Sequence, residues 1–348
     1  MSSSTPGRIR WAAVATSQYD EPGASTPRVS VIVPVRNRRD LLNTLLEALD
    51  AQTYRDFEVV VVDDGSTDGA DELAASAWIA DRPVSLLRSR GAGAVTARTL
   101  GVEASSGEIL AFTDSDCVPA PGWLAAGMAA IDEGADLVNG RTQPSRPMKP
   151  LERSVGSGTE GLYPTCNIFY RRHVFQRAGG FDHGAASTLG FRVDELARGT
   201  GFGEDTLLAW RVRRSGAVVR YVPEAFVQHH VFPPDVRDWL SRCSQVAAFP
   251  ALVRDVPELR TTMMRRRILF GERSRLPVYG FAVALLTRRR LPITVVLGWW
   301  VLWRLRELRR APVSWPHRLA VLPGEMAIDA AMATAFVTGS IRARTIAL

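Results

Sequence analysis

FEVVVVDDGSTDG (57–69) is an apolar run that stops abruptly on two aspartates and a glycine. Its successive valines leave no polar face, as expected of a strand buried on both sides in a parallel sheet covered by helices. The same pattern recurs on either side. Upstream, VSVIVPV (29–35) reads as a strand over Arg28–Val35, ended by Pro34; downstream, EILAFTDSD (108–116) reads as a strand over Glu108–Thr113 that ends at Asp114. Between them, Leu41, Leu42, Leu45, Leu46 and Leu49 fall at helical spacing over Asp40–Ala51. Residues 68–80 and Ala94–Ser105 also read as helices, and Val84–Leu87 as a short strand. Strands alternating with helices build βαβ units and a mostly parallel sheet. Such sheets bind ligands beyond the carboxyl ends of their strands. Both acidic clusters, Asp63/Asp64 and Asp114/Asp116, fall at those ends.

Further along the pattern is less regular. A helix is expected at Trp123–Glu133, a strand at Asp136–Gly140, a loop-rich stretch at 141–165, and helices at Arg172–Ala178 and Asp205–Ser215. The glycine-rich run Gly179–Gly203 reads as a flexible loop able to close over a substrate. The polar segment Met1–Pro27 has no apolar core of a signal peptide and reads as a mobile leader.

The chain has 348 residues, 46% of them hydrophobic and 23% charged, a composition that excludes extensive disorder. Lys149 is the sole lysine. The net charge of +7 is uneven: residues 261–310 carry twelve arginines against two glutamates, a local balance of +10 that leaves the rest at −3. Cys117, Cys166 and Cys243 show no CxxC spacing and imply neither a disulfide framework nor a zinc site. The tail alternates arginine clusters with apolar blocks, the longest being Leu291–Trp303, thirteen residues. A bilayer needs about 20. The blocks therefore read as helices lying on an anionic membrane surface, with Trp299, Trp300 and Trp303 as anchors. Interleaved with apolar blocks, the arginines do not form the solvated strip of a nucleic-acid binder.

Four short motifs bear chemistry. Asp114-Ser115-Asp116 offers two hard carboxylates for Mg2+ or Mn2+, or forms a turn. Asp63-Asp64-Gly65-Ser66 could accept hydrogen bonds from a base or a ribose, or cap the helix that follows. Gly203-Glu204-Asp205-Thr206 opens a helix; a carboxylate there could take a proton from an attacking hydroxyl, or cap the first turn. His229-His230 could supply one metal ligand, since neighbours on a strand face opposite ways.

Their order and spacing carry more than any one of them. VSVIVPVRN (29–37), VVVDDGSTDG (60–69), ARTLGVEASSGEILAFTDSD (97–116), RRHVFQRAGGFD (171–182), GEDTLLAWRVRRSG (203–216) and YVPEAFVQHH (221–230) together resemble a family 2 glycosyltransferase. The resemblance runs from Val29 to about Asp235. It implies an α/β GT-A fold: a nucleotide-sugar-binding half at 28–118, an acceptor-binding half at 119–235, and a basic, apolar helical tail at 236–348. It implies that Pro34, Arg36 and Asn37 line the nucleotide cleft, Asp64 holds the base, Arg98 helps hold the nucleotide and Asp114 meets the ribose. Asp116 and His229 would ligate the divalent cation, Mn2+ or Mg2+. Asp205 would be the catalytic base, with Glu204 the second candidate. The donor would be a nucleotide-diphospho-sugar and the reaction an inverting direct displacement, while the interfacial tail suggests a glycan or lipid-linked acceptor. The place of action would be the cytoplasmic face of the cell membrane.

Two departures from the family pattern matter. Thr99 stands where many relatives carry Asn, which bears on the nucleotide contacts. No Q-x-x-R-W follows the Glu-Asp pair, which points to transfer of one sugar and away from a processive synthase. A nucleotidyltransferase would favour a glycine-rich phosphate loop after the first strand, and VPVRNRRD (33–40) has none. An inactive scaffold at the membrane is the other alternative, and Asp64, Asp114, Asp116 and Asp205 together weigh against it.

Overall fold

Val29–Val35 (β1) and Phe57–Asp63 (β2) are buried at every position, so both faces of these strands must be covered. The computed structural model describes residues 26–158, 161–181, 203–270, 275–286 and 290–347. The segments Met1–Pro27 and Gly179–Gly203, for which a leader and a closing loop are expected, lie almost wholly outside these residues.

The two strands pair in parallel, Val29 opposite Phe57 and Val35 opposite Asp63. Ser85–Arg88 (β3) extends the sheet beyond β2, and Ile109–Phe112 (β4) pairs in parallel with the other side of β1. Cys117–Pro119 (β5), Leu137–Pro144 (β6), Ile168–Arg171 (β7) and Val219–His229 (β8) complete eight strands in the order β3-β2-β1-β4-β7-β6-β8-β5. Only β7 and β5 run against the rest. The sheet is therefore mostly parallel, and the carboxyl ends of β1, β2, β4, β6 and β8 share one edge. The halves expected at 28–118 and 119–235 share this sheet.

The chain reverses its course through the sheet between β1 and β4, the position where such sheets open a ligand crevice. Pairing of β1 with β4 stops at Ile32–Phe112, and the last contact on that side is Thr113 N–H to the Ile32 carbonyl. Pro34 lies two residues on, so its missing N–H faces the side where β4 has already left. The strand thus continues through Pro34 to Val35, the end expected from the sequence.

Arg39–Asp50 (α1), Ala70–Ser76 (α2), Ala94–Ala104 (α3) and Trp123–Asp132 (α4) cover the sheet, the first burying Leu42, Leu45, Leu46 and Leu49. Residues 68–80 are helical only over Ala70–Ser76, because Trp78–Ile79 turns into a small hairpin with Arg82–Pro83. Arg172–Arg177 (α5) and Glu204–Arg214 (α6) follow, close to their expected positions. The stretch 141–165 is less loop-like at its start than expected, since β6 runs to Pro144 beside β8.

The tail is docked on this body. Val236–Val246 (α7), Phe249–Asp255 (α8), Arg275–Leu286 (α9), Arg290–Leu308 (α10) and Leu322–Ala343 (α11) are its main helices. Buried Phe336 of α11 meets Phe249 edge-on at 6.0 Å between ring centres. A Cβ on Gly339 would stand 2.1 Å from the Ala247 carbonyl oxygen, so α11 can lie this close only with glycine there. One apolar core then runs from Ile32 and Phe112 through Trp210 to Phe249 and Phe336.

Two expectations about the tail need correction. The thirteen residues of Leu291–Trp303 are not the longest apolar stretch: among the described residues Trp315–Ala343 is long and apolar enough by composition to cross a membrane, with 29 residues, mean hydropathy 1.4 in its most apolar window and a third of that window buried. Glu325 and Asp329 break its apolar run in the sequence, but both are buried against Arg304, at 3.4 and 2.6 Å. Trp300 is no outward anchor either: it is buried and donates its indole N–H to Asp329 at 3.0 Å.

Candidate active site

The loop after β1 is fixed from the loop after β2. Asn37 has a left-handed φ of 50°, its N–H donates to Ser66 Oγ at 2.9 Å, and its side-chain oxygen accepts from Thr67 N–H at 2.8 Å. Asp64, buried, accepts from Ala92 N–H at 2.8 Å, Gly93 N–H at 2.9 Å and the Ser89 hydroxyl. Neither Asp64 nor Ser66 caps α2, whose N-cap is Gly69. Asp64 instead anchors the loop leading into α3. The exposed Arg36 guanidinium lies 3.8 Å from the same carboxylate and over Gly91. Pro34 is buried within β1.

That anchored loop aims α3, and α3 carries Arg98. Buried Arg98 donates to Asp114 Oδ1 at 2.7 Å and stands 3.6 Å from Glu204 Oε1. It bridges the end of β4 to the start of α6. Burial opposes ionisation of Asp114, but the charge and hydrogen bond of Arg98 outweigh it and hold this carboxyl below its ordinary range. Glu204 is pushed the other way: burial raises it, and Arg98 offsets this only in part. Its Oε2 is buried without a hydrogen-bond partner among the described residues.

Asp205 is pushed up to about 7, first by burial and then by the neighbouring Glu204 charge. The residue before the pair, Gly203, takes a left-handed φ of 76° and has no side chain to cap α6. Asp205 Oδ1 accepts from Thr206 N–H at 2.6 Å, so part of the capping alternative holds within the first turn. Its other oxygen is not used by that bond.

Asp116 and His229 meet because β5 and β8 pair antiparallel with His229 opposite Cys117. The His230 N–H donates to the Asp116 carbonyl at 2.8 Å, which sends the His230 ring to the opposite face. His229 Nε2 lies 3.5 Å from Asp116 Oδ1, both side chains buried. His229 Nδ1 faces the His230 carbonyl oxygen at 2.9 Å and Ser154 Oγ at 3.1 Å. A carbonyl only accepts, so in the neutral ring Nδ1 carries the proton and Nε2 presents a lone pair to Asp116. Two acceptors then face each other across 3.5 Å, an arrangement that a cation between them would satisfy. Cys117 Sγ lies in the same cluster, the three ligand atoms within 4.8 Å of one another. Burial raises its thiol well above the ordinary range, so the Asp116 oxygen and the His229 nitrogen are the better donors of the three.

Every residue singled out from the sequence therefore lies at or just past the carboxyl edge of the sheet, except Pro34, which is enclosed in β1. The sequence reading missed two groups. Arg38 donates to Asp116 Oδ2 at 2.6 Å. Tyr170 of β7 is fully buried, its hydroxyl without a hydrogen-bond partner among the described residues, and its titration is raised by burial and then by the Asp205 charge. Arg38 sits in the quoted stretch VPVRNRRD beside other arginines, and nothing in the text separates it from them.

Residues 30–195 match the family model described as glycosyl transferase family 2. Among characterised proteins, the chain is 35% identical to glycosyltransferase AglE of Haloferax volcanii over 173 residues, 45% of this chain and 57% of AglE. It is 29% identical over 249 residues to the pre-mycofactocin glycosyltransferase of Mycobacterium tuberculosis, 66% of this chain and 48% of that protein. The chain thus spans roughly half the length of these relatives. Among solved structures it is similar to the mannosyltransferase PcManGT of Pyrobaculum calidifontis in complex with GDP-Man and Mn2+, at 18% identity and a TM-score of 0.49, covering 96% of this chain and 90% of that one.

Proposed function

We infer, from the membership of residues 30–195 in glycosyl transferase family 2, that the chain transfers one sugar from a nucleotide diphosphate to an acceptor hydroxyl with inversion. The observation that carries this reading is the Arg98 bridge, which ties Asp114, next to the Asp116–His229 pair, to the Glu204-Asp205 pair. Acid groups from distant parts of the chain are thereby linked beside the sheet's switch point, which supports their serving one crevice.

In this reading Arg36, Asn37, Asp64 and Arg98 form the nucleotide side of the crevice, with Pro34 shaping its floor and Asp114 turned to the ribose. Asp116 and His229 would hold a divalent cation, which when bound would offset the charge that builds on the departing diphosphate. Asp205 takes the proton from the acceptor hydroxyl as its oxygen bonds to the anomeric carbon, and the bond to the diphosphate breaks on the opposite face. Burial, and then the charge of Glu204 held by Arg98, keeps Asp205 a stronger base than an ordinary aspartate. One displacement of this kind inverts the anomeric centre. Absence of Q-x-x-R-W favours transfer of a single sugar. The test is a panel of UDP-, GDP- and dTDP-sugars with Mn2+ and candidate polyol and lipid acceptors, reading nucleoside diphosphate release and the anomer by NMR. A retained anomeric configuration would contradict the direct displacement.

In the same reading the enzyme works at the cytoplasmic face of an anionic membrane, on a glycan or lipid-linked acceptor. The support lies in α10: Leu291, Val295, Trp299 and Leu302 recur at helical spacing and are 74, 62, 48 and 71% exposed, with Arg306, Arg309 and Arg310 exposed at the same end. The double substitution W299E/L302E is expected to weaken binding to phosphatidylglycerol vesicles by tenfold or more, since each side chain is worth about 1.5–3 kcal/mol on burial. Cosedimentation measures it, and unchanged binding would remove the tail from the membrane. Because both side chains point outward, folding should be unaffected.

A further inference from the structure

We propose that Arg38 is a built-in cation that holds the Asp116 carboxylate in the free protein and makes divalent-metal binding wait for the donor's diphosphate. The proposal rests on the reading that Asp116 and His229 ligate that metal.

Asp116 is buried, and a buried carboxylate without a partner is costly. In the free protein Arg38 supplies the partner, with Nη1 at 2.6 Å from Oδ2, while Oδ1 is left facing His229 Nε2. A divalent ion on Oδ1 and Nε2 would share one carboxylate with a guanidinium, and like charges so placed repel strongly in a half-buried site. The metal is therefore held weakly as long as Arg38 stays.

Arg38 is also placed to leave. Its side chain is 35% exposed, on the loop between β1 and α1, and Asn37 beside it is clipped to Ser66 and Thr67, so the backbone need not move. Its guanidinium lies over the Phe232 ring at 5.2 Å, and Arg153 lies over the same ring at 4.2 Å. Two guanidinium groups on one ring repel each other, which lowers the cost of turning Arg38 away. An arriving diphosphate offers it a charged acceptor that suits an arginine fork. Metal and donor then bind together. Arg38 is a positioning residue here: it acts through Asp116.

The test is Mn2+ affinity without any nucleotide, read from the free-ion EPR signal, for the wild type, R38Q, R38M and R38K. R38Q and R38M are expected to bind Mn2+ about tenfold tighter than wild type or more, and R38K, which keeps the charge, to stay near wild type. Adding D116N to R38Q should abolish the gain. R38M keeps an apolar stem over Phe232, so a folding defect in R38Q would not block the comparison. A second reading is the rise in Tm on adding Mn2+, which should be larger for R38Q than for wild type. Equal or weaker binding by R38Q and R38M, with wild-type binding that still depends on Asp116, overturns the role of Arg38 and leaves the metal site standing. No Asp116-dependent binding in any variant overturns both.

Discussion

Replacing Asp205 by asparagine is expected to lower kcat about a thousandfold, within the 100- to 10,000-fold range of a lost general base, while donor binding is retained. Burial and the Glu204 charge bring Asp205 to about 7. Only its ionised form can take a proton, so wild-type kcat should rise with pH and level off above that value. The asparagine variant should lose that rise with its activity. The same shift has a consequence for stability. An aspartate whose folded pKa lies above its unfolded value favours folding at low pH and loses that contribution as pH rises from about 4 to 7. The asparagine side chain carries no charge, so D205N should be more stable than wild type at pH 8, by roughly 1–4 kcal/mol, with the gap closing towards pH 4. Thermal unfolding across that range measures it. A less stable variant at pH 8 would mean that the ionised Asp205 has a compensating partner.

The second large effect is expected at Asp116. D116N keeps the size of the side chain but weakens an anionic ligand and leaves Arg38 without its ion pair. Loss of activity of a hundredfold or more is expected, together with loss of the response to Mn2+. H229N should reproduce the weaker metal response while leaving Arg38 on Asp116. If excess Mn2+ restored D116N to wild-type rates, the ion would be held elsewhere.

Much of the donor side was readable in the text, for a physical reason. β1, β2 and β4 are covered on both faces, so each is a mostly apolar run, and the chain turns polar where each run ends. β7 and β8 were harder. Ile168–Arg171 is four residues long, and β8 carries an irregularity between Val222 and Phe226 beside β6, so neither shows a clean period of two. His229 could be preferred to His230 only through resemblance; the pairing of His229 with Cys117 gives that preference a geometric reason. The Arg98–Glu204 and Arg38–Asp116 pairs join segments far apart in the chain, and no local pattern encodes them. In the tail, whose blocks read as helices on a membrane surface, Arg304 is buried between Glu325 and Asp329. Charge alone does not tell a solvated arginine from one that ties two helices together.

Binding of a nucleotide-sugar donor to wild type, D116N and D205N in Mn2+, by calorimetry, separates the two halves of the crevice. Wild type and D205N should bind alike, D116N at least tenfold more weakly, and both variants should turn over at least a hundredfold more slowly than wild type. A donor held equally by all three, or a D205N protein that transfers sugar near the wild-type rate, would mean that these carboxylates do not serve one reaction centre.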